Sequence, residues 1–405
     1  MKKIFLFCFF IFLFIFSYWL MNKSFSYDPQ KQQILVGSKI WSDYAAHLPL
    51  IRSFSYGQNW PPEFPLFPGL PIKYHFLFYL LVGLLERIGL RIDLALNLLS
   101  GLSFFLLLLI IYLLAKYLFN SRKVGLLSVI FFLFNGTLSF LEFFKAHPFS
   151  TKTLTDIWTL TNYPSFMPYG QGEVAAFWSL NTFVNQRHLA LTFFIILLTV
   201  YVLLKHQQEK PLSLKGIFCL SILLGLLPSI HKATFAMSAV VLAFMLLFFS
   251  KIRKDLIKIG LLTALIALPQ LLSTSQSQML ESNLSFYPGY LVHGQSLILF
   301  IRHWVMNLGL SVIFIPLGFI LAPRQAKKVF LCFLPLFFIG NLVKFTPEIA
   351  ANHKFFNLFI IIGNMFTAYA LVWSFRSIRH FFFPFSFFLF LSNIFWGYRF
   401  YGQQE

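Results

Sequence analysis

The chain has 405 residues, of which 58% are hydrophobic and 11% charged. Soluble domains usually carry about 25% charged residues, so composition excludes a soluble globular body, and a mean hydropathy of +0.74 points to lipid as the solvent. The net charge of +19 does not mark a nucleic-acid binder, because the cations sit in short clusters between oily runs, where orientation signals fall.

The oily runs show no alternation with polar residues, so they read as helices and not as barrel strands. Lengths near ~20 residues suit a hydrocarbon layer of ~30 Å. Spans are expected near 4–21, 94–118, 124–142, 188–204, 216–230, 233–250, 256–272, 297–321, 329–344, 356–375 and 381–398. The start, "MKKIFLFCFFIFLFIFSYWLM", lacks a small-residue cleavage site and reads as an uncleaved first span. With the N-terminus inside, each inner segment is basic: Lys2 and Lys3; Arg122 and Lys123; Lys205, Lys210 and Lys215; Lys251, Arg253, Lys254 and Lys258; Arg324, Lys327 and Lys328; Arg376 and Arg379. The expected fold is an all-α polytopic membrane protein of about 11 transmembrane helices, with a cytoplasmic N-terminus. Residues 1–405 form one integral membrane domain. Cys8, Cys219 and Cys332 lie in apolar runs, so no disulfide framework is expected.

The opposite face receives two long segments, 22–93 and 143–187, and the loop 273–296. Long ordered loops are often functional. Within the first, "YHFLFYLLVGLLERIG" (74–89) is apolar but short, bounded by Pro71, and reads as an interfacial helix. His47, His75, His147, His188, His231, His293, His303 and His353 all fall on or near this outer face, and only His206 and His380 fall inside. The acids Asp28, Asp43, Glu63, Asp93, Glu142, Asp156, Glu173, Glu281 and Glu348 share the outer bias. Ionisable groups near a membrane are costly unless used, paired or wet.

In "WSDYAAHLPLIRSF" (41–54), Asp43 and His47 are four apart and share a face if helical. Ser42 is placed to cap that helix and Pro49 to end or kink it. The pair suits a general base with its orienting group, half of a metal site, or an ordinary interfacial ion pair. "NQRHLAL" (185–191) sets Arg187 and His188 at the lip of a span, where Arg either binds phosphate or snorkels to headgroups. "SIHKATF" (229–235), "FIRHWV" (300–305) and "AANHKFF" (350–356) repeat the theme with His231 and Lys232, Arg302 and His303, and His353 and Lys354. Four such pairs at the lips of different helices suggest one converging anionic site. No P-loop, dinucleotide glycine fingerprint, G-x-S-x-G elbow, HExxH or paired-Cys spacing is present.

"SDYAAHLPLIRSF", "GLPIKYHFLFYLLVGLLERIGL" and the span running to "LLAKYLF" resemble the GT-C superfamily of membrane glycosyltransferases; "NQRHLAL" and "NHKFFNLF" resemble stretches of its multispan bacterial members. The detailed likeness covers the first third of the chain. It implies a bacterial inner-membrane enzyme, active face outward, that transfers a sugar from a polyprenyl-phosphate donor to a lipid or glycan acceptor, with membrane lipids but no nucleic acid as partners. Asp43 matches the first-loop acid that acts as catalytic base or helps hold a metal. Many members carry two adjacent acids there, whereas Asp43 has Ser42 and Tyr44 as neighbours. The resemblance leaves a divalent metal open and names no other cofactor. His47 would orient the base. Arg187 and His188, with His231, Lys232 or Lys354, would hold the phosphate; Glu63, His75 and Glu173 would bind sugar or acceptor hydroxyls, and Arg52 and His353 would belong to the same substrate site. Trp60, Tyr169 and Trp178 would stack on sugars or serve as interfacial belt residues. Rival readings are a lipid-linked polysaccharide polymerase or ligase, a transporter or flippase, and a non-catalytic envelope-assembly partner.

Overall fold

The computed structural model describes residues 2–37, 40–159, 166–178, 180–207, 211–275, 284–292, 294 and 296–377. The expected span 381–398, with Lys210, Glu281, His293, Arg379 and His380, lies outside the described residues, as do the side chains of Ser42, Glu142 and Arg376. The fold is mostly helical. In chain order the helices are α1 (Lys2–Ser24), α2 (Trp41–Ser55), α3 (Leu77–Arg87), α4 (Ile92–Phe119), α5 (Arg122–Leu133), α6 (Ser139–Ala146), α7 (Thr153–Thr159), α8 (Asn181–Asn185) and α9 (His188–His206). There follow α10 (Leu214–Gly225), α11 (Leu227–Ile230), α12 (Lys232–Phe248), α13 (Arg253–Ser275), α14 (Leu297–Leu308), α15 (Ser311–Leu321), α16 (Arg324–Leu342) and α17 (His353–Ser377). Two antiparallel ribbons complete it: β1 (Phe25–Asp28) with β2 (Gln33–Val36), in register Phe25 to Val36, and β3 (Ser285–Phe286) with β4 (Val343–Lys344).

Among the described residues, six helices are long and apolar enough to cross a membrane, or seven if α14 and α15 count as one bent span. The protein is therefore an integral membrane protein by helix length and composition. Of the other expected spans, 381–398 lies outside the described residues, and the rest differ for local reasons. The run 124–142 breaks after Leu133 at Asn135 and Gly136, two poor helix formers. The run 297–321 bends by 82° between α14 and α15. Its hinge, Gly309, has φ of +55°, and a Cβ there would clash with the Gly136 carbonyl oxygen; only glycine combines both. The apolar helices 214–230 and 232–248 are each shorter than 18 residues. His231, extended at φ −169° and ψ 109°, separates them.

The chain divides into two compact units. The first holds residues 1–114 and 181–281. In it α1 lies on α4, through Phe14 against Phe105 at 5.4 Å and Phe10 against Tyr112 at 5.1 Å. α2 packs on α3, and α10 on α13. The close approach of α2 to α3 needs Gly83, where a Cβ would sit 2.9 Å from Phe54 Cβ and 3.0 Å from the Ile51 carbonyl oxygen. Pro49 lies inside α2, which continues to Ser55, so of the expected end or kink at that proline the end is corrected. An internal proline costs a helix about 3 kcal/mol, and the packing of α2 on α3 offsets it. The N-cap is Ile40, not Ser42, and makes no side-chain capping bond. The second unit holds residues 115–180 and 282–400. It is built around α17, almost wholly buried, against which α5, α15 and α16 pack.

Candidate functional site

The first unit gathers four histidines from four separate stretches. His47 stands on α2, His75 just before α3, His188 opens α9, and His231 caps α12. The ring of His75 lies 4.5 Å from that of His188 and 5.0 Å from that of His231, while His188 and His231 stack at 5.2 Å. His47 stacks on Tyr79 of α3 at 4.4 Å and meets His188 edge-on at 6.2 Å. The Tyr79 hydroxyl and His188 Nδ1 share a hydrogen bond of 3.0 Å. All four histidines are buried.

Backbone contacts explain how these residues meet. The Phe76 N–H donates to the Ser229 carbonyl at 2.9 Å, and Lys232 Nζ donates to the Lys73 carbonyl at 3.1 Å. Residues 73–76 and 229–232 therefore run side by side, which brings His75 to His231. The Thr234 N–H donates to His231 Nδ1 at 3.3 Å, so neutral His231 carries its proton on Nε2. The α2–α3 packing brings His47 onto Tyr79.

Arg187 sets the base of this arrangement and is 2% exposed. It donates to Asn97 Oδ1 at 2.6 Å, to Ser24 Oγ and the Met21 carbonyl at 2.9 Å each, and to the Val184 carbonyl at 3.3 Å. Asn97 in turn donates to the Phe25 carbonyl at 2.7 Å. One guanidinium thus ties the end of α1, the start of α4 and the entry to α9. Its planar donor fork suits such convergent acceptors. It also lies over the Tyr44 ring, 5.4 Å from the centroid.

Burial, and then the Arg187 charge, push His47 down to about 4 from an ordinary 6.5. Burial raises the Tyr44 phenol to about 12 against the pull of Arg187. Burial also raises Tyr74 and Tyr79, and the Asp43 carboxylate adds to both shifts. Asp43, only partly buried on the first turn of α2, therefore acts electrostatically on Tyr74 and Tyr79 beside the histidines. Burial lowers Lys232.

The other expected residues have these surroundings. Arg52, half-exposed, pairs with buried Glu86 at 3.1 Å, and Glu86 also accepts from Ser55 Oγ at 2.7 Å. Glu63 closes its own loop by accepting from the Gly69 N–H at 2.9 Å. His353 and Lys354 belong to the second unit, where the His353 ring stacks on Phe177 at 4.4 Å. Trp178 is core in that unit, its indole N–H donating to Asn307 Oδ1, whereas Trp60 and Tyr169 are exposed. Arg302 forms a two-pronged salt bridge with Glu173 and thereby lowers the Glu173 carboxyl. Among the described residues no three His, Cys, Asp or Glu side chains are arranged to hold a metal ion.

Sequence reasoning passed over Tyr79, Tyr74, Asn97 and Glu86. Tyr79 is surrounded by "FLF" and "LLV" and looks like a belt aromatic. Asn97 carried a usable signal, as an amide inside the oily "LALNLLSG", where a polar group needs a partner.

No family model matches the chain, and no curated protein matches it.

Proposed function

We propose that the protein is a membrane glycosyltransferase that moves a sugar from a polyprenyl-phosphate donor to an acceptor on the extracytoplasmic face, in the manner of the GT-C superfamily. The observation that carries the reading is the meeting of His47, His75, His188 and His231, with Asp43 four residues before His47 on α2 and Lys232 next to His231, within one unit built largely of apolar helices. Such a gathering of proton-carrying and cationic groups is expensive near lipid and suits a reacting anionic headgroup. The basic inner segments support a cytoplasmic N-terminus with this site facing outward, hydropathy supports about 11 spans, and the resemblance implies a bacterial inner membrane.

In the reaction Asp43 removes the acceptor hydroxyl proton as the oxygen attacks the anomeric carbon. The bond to the lipid phosphate breaks and its electron pair leaves on the phosphate oxygen. Donors of His75, His188, His231 and Lys232 meet that growing charge, the step where fixed donors accelerate most. Neutral His47, stacked on Tyr79, holds the α2 face that presents Asp43. Arg187 acts as a positioning residue, because its donors are engaged by Asn97, Ser24 and backbone carbonyls.

The test is mass spectrometry of lipid-linked sugars and envelope glycans from cells carrying wild type, Asp43→Asn or a deletion. The expected result is that the variant and the deletion lose the same sugar at normal protein level. A variant that matches wild type while the deletion does not would remove Asp43 from the chemistry and favour a transporter or scaffold.

A further inference from the structure

Residues 56–72, "YGQNWPPEFPLFPGLPI", include five prolines and one acid, Glu63. The segment folds on its own polar groups. The Phe64 N–H donates to the Leu70 carbonyl at 2.9 Å, the Phe67 N–H to the Phe64 carbonyl at 2.9 Å, and the Ile72 N–H to the Pro62 carbonyl at 3.0 Å. The Glu63 N–H donates to Asn59 Oδ1 at 2.7 Å, and the Glu63 carboxylate accepts from Gly69. The side chains go the other way: Trp60 is 72% exposed, Leu66 58%, Phe67 62% and Leu70 59%. An ordered loop that pairs most of its backbone N–H groups internally and turns four large apolar side chains outward suits the headgroup–acyl boundary, where apolar faces bury and remaining polar groups reach water.

Its position names the occupant. The loop lies in the connection between α1 and α4, both long and apolar enough to span. Outward apolar side chains line both spans right up to that connection, with Trp19 on α1 and Leu94, Leu98 and Leu102 on α4 exposed. Lys73 follows the loop and gives headgroup phosphates a cation.

We propose that this loop seats Trp60, Leu66, Phe67 and Leu70 at the headgroup–acyl boundary of the leaflet bordering the α1–α4 connection, as an interfacial lip leading into Tyr74 and His75 of the cluster. The lip's use in admitting a lipid-borne substrate rests on the glycosyltransferase reading; the lipid contact itself does not.

The experiment places an environment-sensitive nitrobenzoxadiazole label at Phe67→Cys, and separately at Leu66→Cys. The full chain, with Cys8→Ser and Cys219→Ser, is held in phosphatidylcholine–phosphatidylglycerol nanodiscs. The expected result is blue-shifted emission at both positions, quenched by lipids carrying a doxyl group near the headgroup and shielded from aqueous iodide. A label at Lys31→Cys, on the polar β1–β2 turn, reports the iodide-accessible limit. Quenching of both loop labels by iodide and not by doxyl lipid would overturn the proposal. Shielding from both quenchers would also overturn it and assign the surface to protein. Neither readout depends on sugar transfer, so failure here is separate from failure of the catalytic reading.

Discussion

Arg187 shows how much one side chain can carry when it is buried. Four of its hydrogen bonds reach α1, α4 and the segment before α9, and removing it takes the guanidinium donor from Asn97 Oδ1 and Ser24 Oγ, while the Met21 carbonyl still accepts from Ser24 Oγ at 2.8 Å. Leaving a buried neutral acceptor unsatisfied costs about 1–3 kcal/mol. Arg187→Ala is expected to fall sharply in thermal stability in detergent, and Arg187→Lys to recover only part, because a point charge cannot reach divergent acceptors. Equal stability of all three proteins would contradict the positioning role. His47 makes a second prediction. It is held at about 4, below its ordinary 6.5, so between those pH values the unfolded chain binds a proton that the folded one refuses. Its contribution is complete above about pH 6.5 and is lost as pH falls toward 4, by on the order of 3 kcal/mol. Unfolding temperatures of wild type and His47→Gln, measured from pH 7 to 4.5, are expected to converge on acidification. Parallel curves would remove His47 as the source.

At the scale of elements, the site depends on α2 lying close to α3. Gly83 permits this, since a methyl group would meet Phe54 Cβ at 2.9 Å and the Ile51 carbonyl oxygen at 3.0 Å. Gly83→Ala is expected to separate the helices, cost about 1–3 kcal/mol, and pull Tyr79 from His47. The check is a combined measurement of stability and transfer; a variant that loses neither would show that the helices yield without moving the site. The Arg52–Glu86–Ser55 contacts hold the same pair of helices. Arg52 was expected among substrate ligands from its place near Asp43, but Glu86 faces it from α3, thirty-four positions along the chain. That pairing leaves no mark in local spacing. Pro49 is similar: within α2 alone it reads as a helix end, and only the packing of α2 on α3 explains why the helix continues.

For the whole molecule, the basic clusters between apolar runs predict which segments face the cytoplasm. In intact cells an impermeant thiol reagent is expected to label Lys31→Cys but to label Lys123→Cys only after permeabilisation, each in a Cys8→Ser, Cys219→Ser background. The reverse pattern would invert the topology and move the histidine cluster to the cytoplasmic side. The same scale explains the difference in span number. Hydropathy averages over a window and registers the oil on both sides of Gly309, but not the 82° bend at it. The break at Asn135 and Gly136 is likewise small beside the apolar run around it.

The sequence by itself determined the solvent and the dominant element. Apolar runs must bury their backbone polar groups internally, and that requirement acts residue by residue along a helix. It also marked His47, His75, His188 and His231, because imidazoles beside oily runs stand out without any fold. Only the tertiary structure decided which of them meet. His75 reaches His231 through a backbone bond between Phe76 and Ser229. It also decided that Arg187 faces protein acceptors. Such choices depend on close packing between segments far apart in the chain, and spacing along one segment carries no record of them.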